Sequence, residues 1–297
     1  MDLDQLRYFQ TVAARGGFTA ASEDLGVSQP ALSRSIARLE AELRRPVFER
    51  GGRTLRLTDA GSLLLARSRQ ALSILEDTKA EIAEEGGRGR VRLGAIPTVA
   101  PYFLPAFLSD FAAAHPEAAV TVREDTTDNL LKALTAGEVD AAVLALPVAG
   151  RGLEVTPLFE EDLLLVAPAG HPLATKKEVR TADIEGRPLV MLGEGHCLSD
   201  NIVAFCRQRS FRPLAVEQTS QLATVRELVA LGHGVSLIPA MAVPSTDDPR
   251  LVYRKVVRPK PTRTIAVATN AGRFRSGLLR ELLARLADTQ RARSVSE

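Results

Sequence analysis

Cysteine is scarce in this chain, with two among 297 residues. No C-x-x-C or H-x-x-x-H pattern accompanies the pair, which makes a zinc site the poorer reading, and no metal or cofactor is expected. The start, Met1-Asp2-Leu3-Asp4-Gln5, lacks the basic and apolar character of a secretory leader. That predicts a cytoplasmic protein, where structural disulfides are rare. No apolar run approaches the roughly 20 residues that span a bilayer, so no membrane partner is expected. A Gly-x-Ser-x-Gly element is missing, which argues against a hydrolase. Charge of one sign is also lacking. The formal net charge is +2, and residues 1–60 hold nine arginines against eight acids. Bulk charge therefore decides nothing about nucleic acid; position must. The 45% hydrophobic and 25% charged content is ordinary for a soluble chain long enough for two or three domains.

Both thiols fall in one stretch, Gly195-His196-Cys197-Leu198-Ser199-Asp200-Asn201-Ile202-Val203-Ala204-Phe205-Cys206. Leu198, Ile202, Phe205 and Cys206 recur at three- and four-residue steps, which predicts a helix over 200–209 capped by Ser199 or Asp200. Nine residues of helix separate two Cα atoms by roughly 13 Å and place them on opposite sides. A disulfide needs Cα atoms within about 7 Å, so a bond between these thiols has to melt or refold the segment. Cys197, just ahead of unpaired helical N–H groups and beside an imidazole, is expected to favour the thiolate. Cys206, on the apolar stripe, is expected to be buried and slow. The competing reading makes both thiols small core residues.

The N-terminal 58 residues predict a winged helix-turn-helix. Leu3, Leu6, Phe9 and Val12 mark a first helix ending at Gly16-Gly17, and Thr19–Leu25 a second, turned at Gly26-Val27. Ser28 caps a third whose Leu32, Ile36, Leu39 and Leu43 form one stripe, with Pro30, Ser33, Arg34 and Arg38 facing away. Gln29, Ser33 and Arg34 are placed to touch base edges of double-stranded DNA. Arg50, Arg53 and Arg56, on a β-hairpin wing around Gly51-Gly52, suit phosphate contact. A bundle with a merely solvated charged face is the alternative. Thr58 then caps a proline-free helix over 59–86. Its Leu64, Ser68, Ala71, Leu75, Thr78 and Ile82 form an imperfect heptad seam suited to pairing with a second subunit.

From residue 87 onward strands and helices alternate, which predicts a mostly parallel α/β sheet covered by helices. Ligands bind such sheets at the carboxyl ends of strands. Thr98, Thr127, His196 and Cys197 all fall there, so their polar groups should converge on one cleft.

Residues 1–85 resemble the head and linker helix of the LysR-type transcriptional regulators, and the body is similar to their two-lobed, periplasmic-binding-protein-like regulatory domain, which implies lobes of about 87–161 with 266–297 and about 162–265. Gly195-His196-Cys197-Leu198 with Asp200 and Cys206, together with Ile96-Pro97-Thr98, the run from Pro239 to Pro244, and Arg263-Thr264-Ile265, resemble the hydrogen-peroxide-sensing OxyR-type branch. The resemblance implies that Cys197 is the peroxidatic thiol and Cys206 the resolving one, with Thr98, Thr127, His196, Asp200 and Arg263 around the peroxide pocket. It further implies a homotetramer on promoter DNA, RNA polymerase as a partner, and a thiol reductant for resetting. Ser199 stands where the family often carries arginine, and Asn201 where glutamine is usual, which bears on how strongly Cys197 is activated. Two other functions remain as alternatives at this stage: a regulator answering to a small organic effector in the cleft, and a thiol peroxidase, against which the DNA-reading head argues.

Overall fold

The structure is a computed structural model that describes residues 1–49, 55–82, 89–150, 152–193, 195–208 and 213–294. Two compact units emerge, residues 1–84 with 135–138, and the remainder from 85 onward.

In the first unit, α1 (Leu3–Arg15) opens with a capping box. Asp2 Oδ1 accepts from the Gln5 amide at 2.7 Å, and Gln5 Oε1 from the Asp2 amide at 3.0 Å. α2 (Phe18–Leu25) stops at Gly26, whose φ of 63° is the left-handed turn that glycine tolerates. α3 (Gln29–Leu43) starts at Ser28, whose hydroxyl accepts from the Ala31 amide, with Pro30 in the first turn where no N–H is needed. Phe9, Val12, Leu32, Ile36, Leu39 and Phe48 close a core among them, as the apolar spacing required. Phe48 bridges to Leu57 in antiparallel fashion, so the wing's base is present. Its tip, residues 50–54, with the predicted Arg50 and Arg53, lies outside the described residues.

α4 (Asp59–Ile82) is capped as expected, with the Thr58 hydroxyl accepting from the Gly61 amide at 3.0 Å. Glycine is required at 61, because a Cβ there would lie 2.0 Å from the Val47 carbonyl oxygen. The heptad seam needs correction. Leu64 packs on the head's own core, and Ser68 is buried and accepts a 3.1 Å bond from Gln10 Nε2 of α1. The first half of the seam is thus consumed within the chain. The large apolar side chains left exposed on α4 are Leu63, Ile74 and Ile82, of which Ile82 belongs to the expected seam.

The second unit is built on β1 (Gly89–Ala95), α5 (Ala100–Ala114), β2 (Ala118–Glu124), α6 (Thr127–Ala136), β3 (Ala141–Ala145) and β4 (Leu153–Pro168). β5 (Glu178–Arg180), α7 (Thr181–Ile184), β6 (Pro188–Leu192), α8 (Cys197–Arg207), β7 (Leu214–Thr219), α9 (Leu222–Ala230), β8 (Ser236–Pro239), β9 (Leu251–Val257), β10 (Thr262–Asn270) and α10 (Gly277–Ser294) complete it. The main sheet runs β2-β1-β3-β10-β4-β9-β5, with β8 also on β4, and β6 pairs with β7. It is mixed and not mostly parallel. β1 is parallel to both β2 and β3, yet β10 is antiparallel to β3 and β4, and β4 is antiparallel to β8 and β9. β10, which follows β9 without an intervening helix, is the strand that runs reversed between β3 and β4.

Two apolar cores result. One gathers residues between Val91 and Phe159 with others from Ile265 to Leu286, and the second gathers residues between Leu163 and Val256. β4 runs through both, pairing with β10 over its first half and with β8 and β9 over its second. Among the described residues no helix is long and apolar enough to cross a membrane.

Candidate functional site

The cysteine helix begins three residues earlier than the sequence predicted. β6 leads to Gly195, whose φ of 85° reverses the chain, and α8 starts at Cys197 with His196 as its N-cap residue. Neither expected cap operates. The Ser199 hydroxyl donates instead to the Leu192 carbonyl at 2.7 Å, which ties the first turn of α8 to the end of β6. Cys197 therefore sits inside the first helical turn and not ahead of it.

α8 touches both cores. Leu198, Ile202 and Cys206, four residues apart, are buried in the second core, whereas Cys197 packs against the first. Asn201, one turn beyond Cys197, donates from Nδ2 to the Leu146 carbonyl at 2.9 Å and so grips the same side. Nine residues of intact helix hold the thiols roughly 13 Å apart along the axis, about twice the reach of a disulfide. Both cysteines are free.

Thr98, Thr127, His196 and Cys197 are brought together as predicted. With Ile96, Pro97, Thr126 and Gly195 they line a pocket of about 180 Å³, nowhere wide enough for the centre of a water-sized sphere. Thr98 lies in the turn after β1, and Thr127 is the first residue of α6. The Thr127 hydroxyl oxygen is buried and makes no hydrogen bond of normal geometry, though it lies near enough to the Cys197 sulfur to favour the thiolate.

Arg263 stands behind Thr98. Its guanidinium is fully buried, donating from Nη1 to the Thr98 hydroxyl at 2.7 Å and from Nη2 to the Thr98 carbonyl at 3.1 Å. The counter-charge is Glu161, with Oε2 at 2.8 Å from Nη2 and 2.9 Å from Nε, while its Oε1 accepts from the Met241 amide at 2.8 Å. Glu161 was not anticipated. A usable signal existed: Phe159, Glu161, Leu163 and Leu165 alternate along β4, and the acid occupies an inward position in that run.

Asp200 is not brought to the pocket. It is exposed and lines a separate surface recess with Ser199, Val203 and Arg207. Its charge still acts on the thiol, and disfavours the anion.

The expectation of a thiolate-favouring setting for Cys197 is also corrected. Burial raises its pKa and outweighs the opposing pull of Arg263, of Thr127 and of the Ala145 backbone. Arg263, Thr127 and the Ala145 backbone offset the cost of burial without reversing it.

Cys206 is 1% exposed, and burial alone pushes its thiol up to about 11 from an ordinary 9.0. A raised native pKa means that the folded state keeps a proton which the unfolded chain gives up. This contribution to stability is complete below about pH 9 and is lost as pH rises through 11. Denaturant titrations between pH 8 and 11 should show stability falling in the wild type, with a smaller slope for Cys206→Ala; equal slopes would contradict the assignment.

On the head, Gln29, Pro30, Arg34 and Arg38 are exposed along α3 and Ser33 is half-exposed between them, opposite the buried Leu32, Ile36 and Leu39. These five share the outer face of the second helix of the motif.

Residues 3–62 match the bacterial regulatory helix-turn-helix family of lysR type, and residues 84–291 match the LysR substrate binding domain. The chain belongs to the LysR family of transcriptional regulators, which are DNA-binding regulators and not enzymes. Among its relatives is a probable hydrogen peroxide-inducible genes activator of Mycobacterium leprae, 38% identical over 281 residues that cover 93% of this chain and 90% of that one. A full-length OxyR cysteine variant from Pseudomonas aeruginosa has a similar structure, with a TM-score of 0.78, 31% identity and coverage of 97% and 94%. So does a cysteine mutant of Corynebacterium glutamicum OxyR with hydrogen peroxide bound, with a TM-score of 0.66, 32% identity and coverage of 97% and 92%.

Proposed function

We propose that this protein is a cytoplasmic, promoter-binding regulator that senses hydrogen peroxide through Cys197 and Cys206. The observation that carries the reading is a partly exposed thiol in a tight pocket beside a buried, unpartnered Thr127 hydroxyl, with its second thiol on the far side of the same helix. Thr98 spends a lone pair on Arg263 and so has its proton to give to a peroxide oxygen. His196 stands at the mouth of the same pocket.

The Cys197 thiolate attacks one peroxide oxygen and the O–O bond breaks. The departing hydroxide takes a proton and leaves as water, and the sulfur is now a sulfenic acid. The Cys206 sulfur then displaces the sulfenic oxygen as a second water, forming the disulfide. One peroxide is reduced and two thiols are oxidised. That bond cannot form across an intact α8, so the helix unwinds and the change reaches the DNA-reading heads of a homotetramer.

A small organic effector is disfavoured at this pocket, which is nowhere wide enough for the centre of a water-sized sphere, whereas sites for such ligands hold about 300–1,000 Å³. The test is mass analysis of the peptide spanning 197–206 before and after stoichiometric peroxide, beside a footprint on promoter DNA. Loss of two hydrogens together with an altered footprint is expected. A formed bond with an unchanged footprint overturns the link, and an unoxidised peptide overturns the reading.

A further inference from the structure

We propose that Glu161 is a positioning residue that sets how much of the Arg263 charge reaches the Cys197 sulfur. The inference rests on Cys197 being the reacting thiol. Arg263 and Glu161 lie opposite each other on β10 and β4 and are both buried. The carboxylate meets the guanidinium at Nη2 and Nε, 2.8 and 2.9 Å away, and shares Nη2 with the Thr98 carbonyl. A cation so neutralised projects a weaker field than a free one.

Glu161 also fixes where that field originates. Its second oxygen is held by the Met241 amide, and Met241 packs against the first core although it follows β8 of the second. The carboxylate thus pins the guanidinium at the place where β4 passes from one core to the other. Among the described residues, the other ionisable groups about the sulfur are His196, which lines the same pocket, and Asp200, both on its own segment.

Glu161→Gln preserves size and an acceptor oxygen but removes the negative charge. In a Cys206→Ser background, so that one thiol is read, the pH midpoint of Cys197 alkylation should fall by about half a unit to one unit. The peroxide rate at pH 7 should rise about twofold to fivefold, less than the gain in thiolate because a less basic sulfur is a weaker nucleophile. With Arg263→Gln also present, Glu161→Gln should no longer move the midpoint, because the residue acts through the arginine. An unchanged midpoint, or an equal shift in both backgrounds, overturns the proposal. If Glu161→Gln fails to fold in a thermal melt, Glu161→Asp serves instead. Its shorter carboxylate retreats from the guanidinium and should give a smaller downward shift; no shift or an upward one is equally fatal. Alkylation needs only the thiolate, so these results stand apart from whether peroxide is the physiological oxidant.

Discussion

Cys197→Ser gives a protein whose promoter footprint is the same with and without peroxide. The substitution changes one atom in a half-buried position, so the fold and DNA binding should survive, yet a serine hydroxyl neither ionises near neutral pH nor forms a sulfenic acid. The response is lost entirely and not merely slowed. Cys206→Ser separates the two chemical steps. Cys197 should still be oxidised, trappable by a sulfenic-acid reagent, but no intramolecular bond closes. A hydroxyl at the 1%-exposed site of Cys206 is also expected to lower stability by about 1–3 kcal/mol unless it finds a partner. A peroxide-dependent footprint in Cys197→Ser would refute the assignment.

The second large effect is structural. Arg263→Leu leaves Glu161 in the interior with its cation gone, and the side chains of this pair are 0% and 3% exposed. Breaking a buried pair in this way destabilises by about 3–5 kcal/mol. For a unit of this size that is a fall in Tm of roughly 10 °C. The double variant Arg263→Leu with Glu161→Leu removes both charges and should recover most of the loss, since apolar replacement of a whole pair is often neutral. The Met241 amide, deprived of its acceptor, keeps the recovery incomplete. Differential scanning calorimetry of the three proteins decides the point. Equal melting temperatures for wild type and Arg263→Leu would show that the pair is no structural anchor.

The sequence made the head legible because its signals are local. Ser28, Gly26 and the Leu32-Ile36-Leu39 stripe each dictate structure within one or two turns, and all are found as read. The convergence of Thr98, Thr127, His196 and Cys197 was legible too, since each follows a strand. What was missed depends on distant partners. The cap expected at Ser199 failed because its hydroxyl prefers the Leu192 carbonyl, seven residues back. The first half of the seam on α4 was misread because Gln10, 58 residues away, claims Ser68 and Leu64 packs on the head's core. Alternation along β4 marks Glu161 as inward, but its partner Arg263 lies 102 residues later and faces it across two strands. β10 itself, antiparallel in a chain that reads as alternating strand and helix, carries no local mark of its direction.

The anchoring of α8 by Leu198 and Ile202 bears on how the signal ends. Taking those two side chains out of the second core opposes oxidation by about 1.5–3 kcal/mol each, unless the oxidised form buries them again. At about 1.4 kcal/mol per 30 mV, this raises the potential of the couple by roughly 60–130 mV over an unopposed bond. On the proposed mechanism the helix would act as a return spring, loaded by oxidation and released when the bond is reduced.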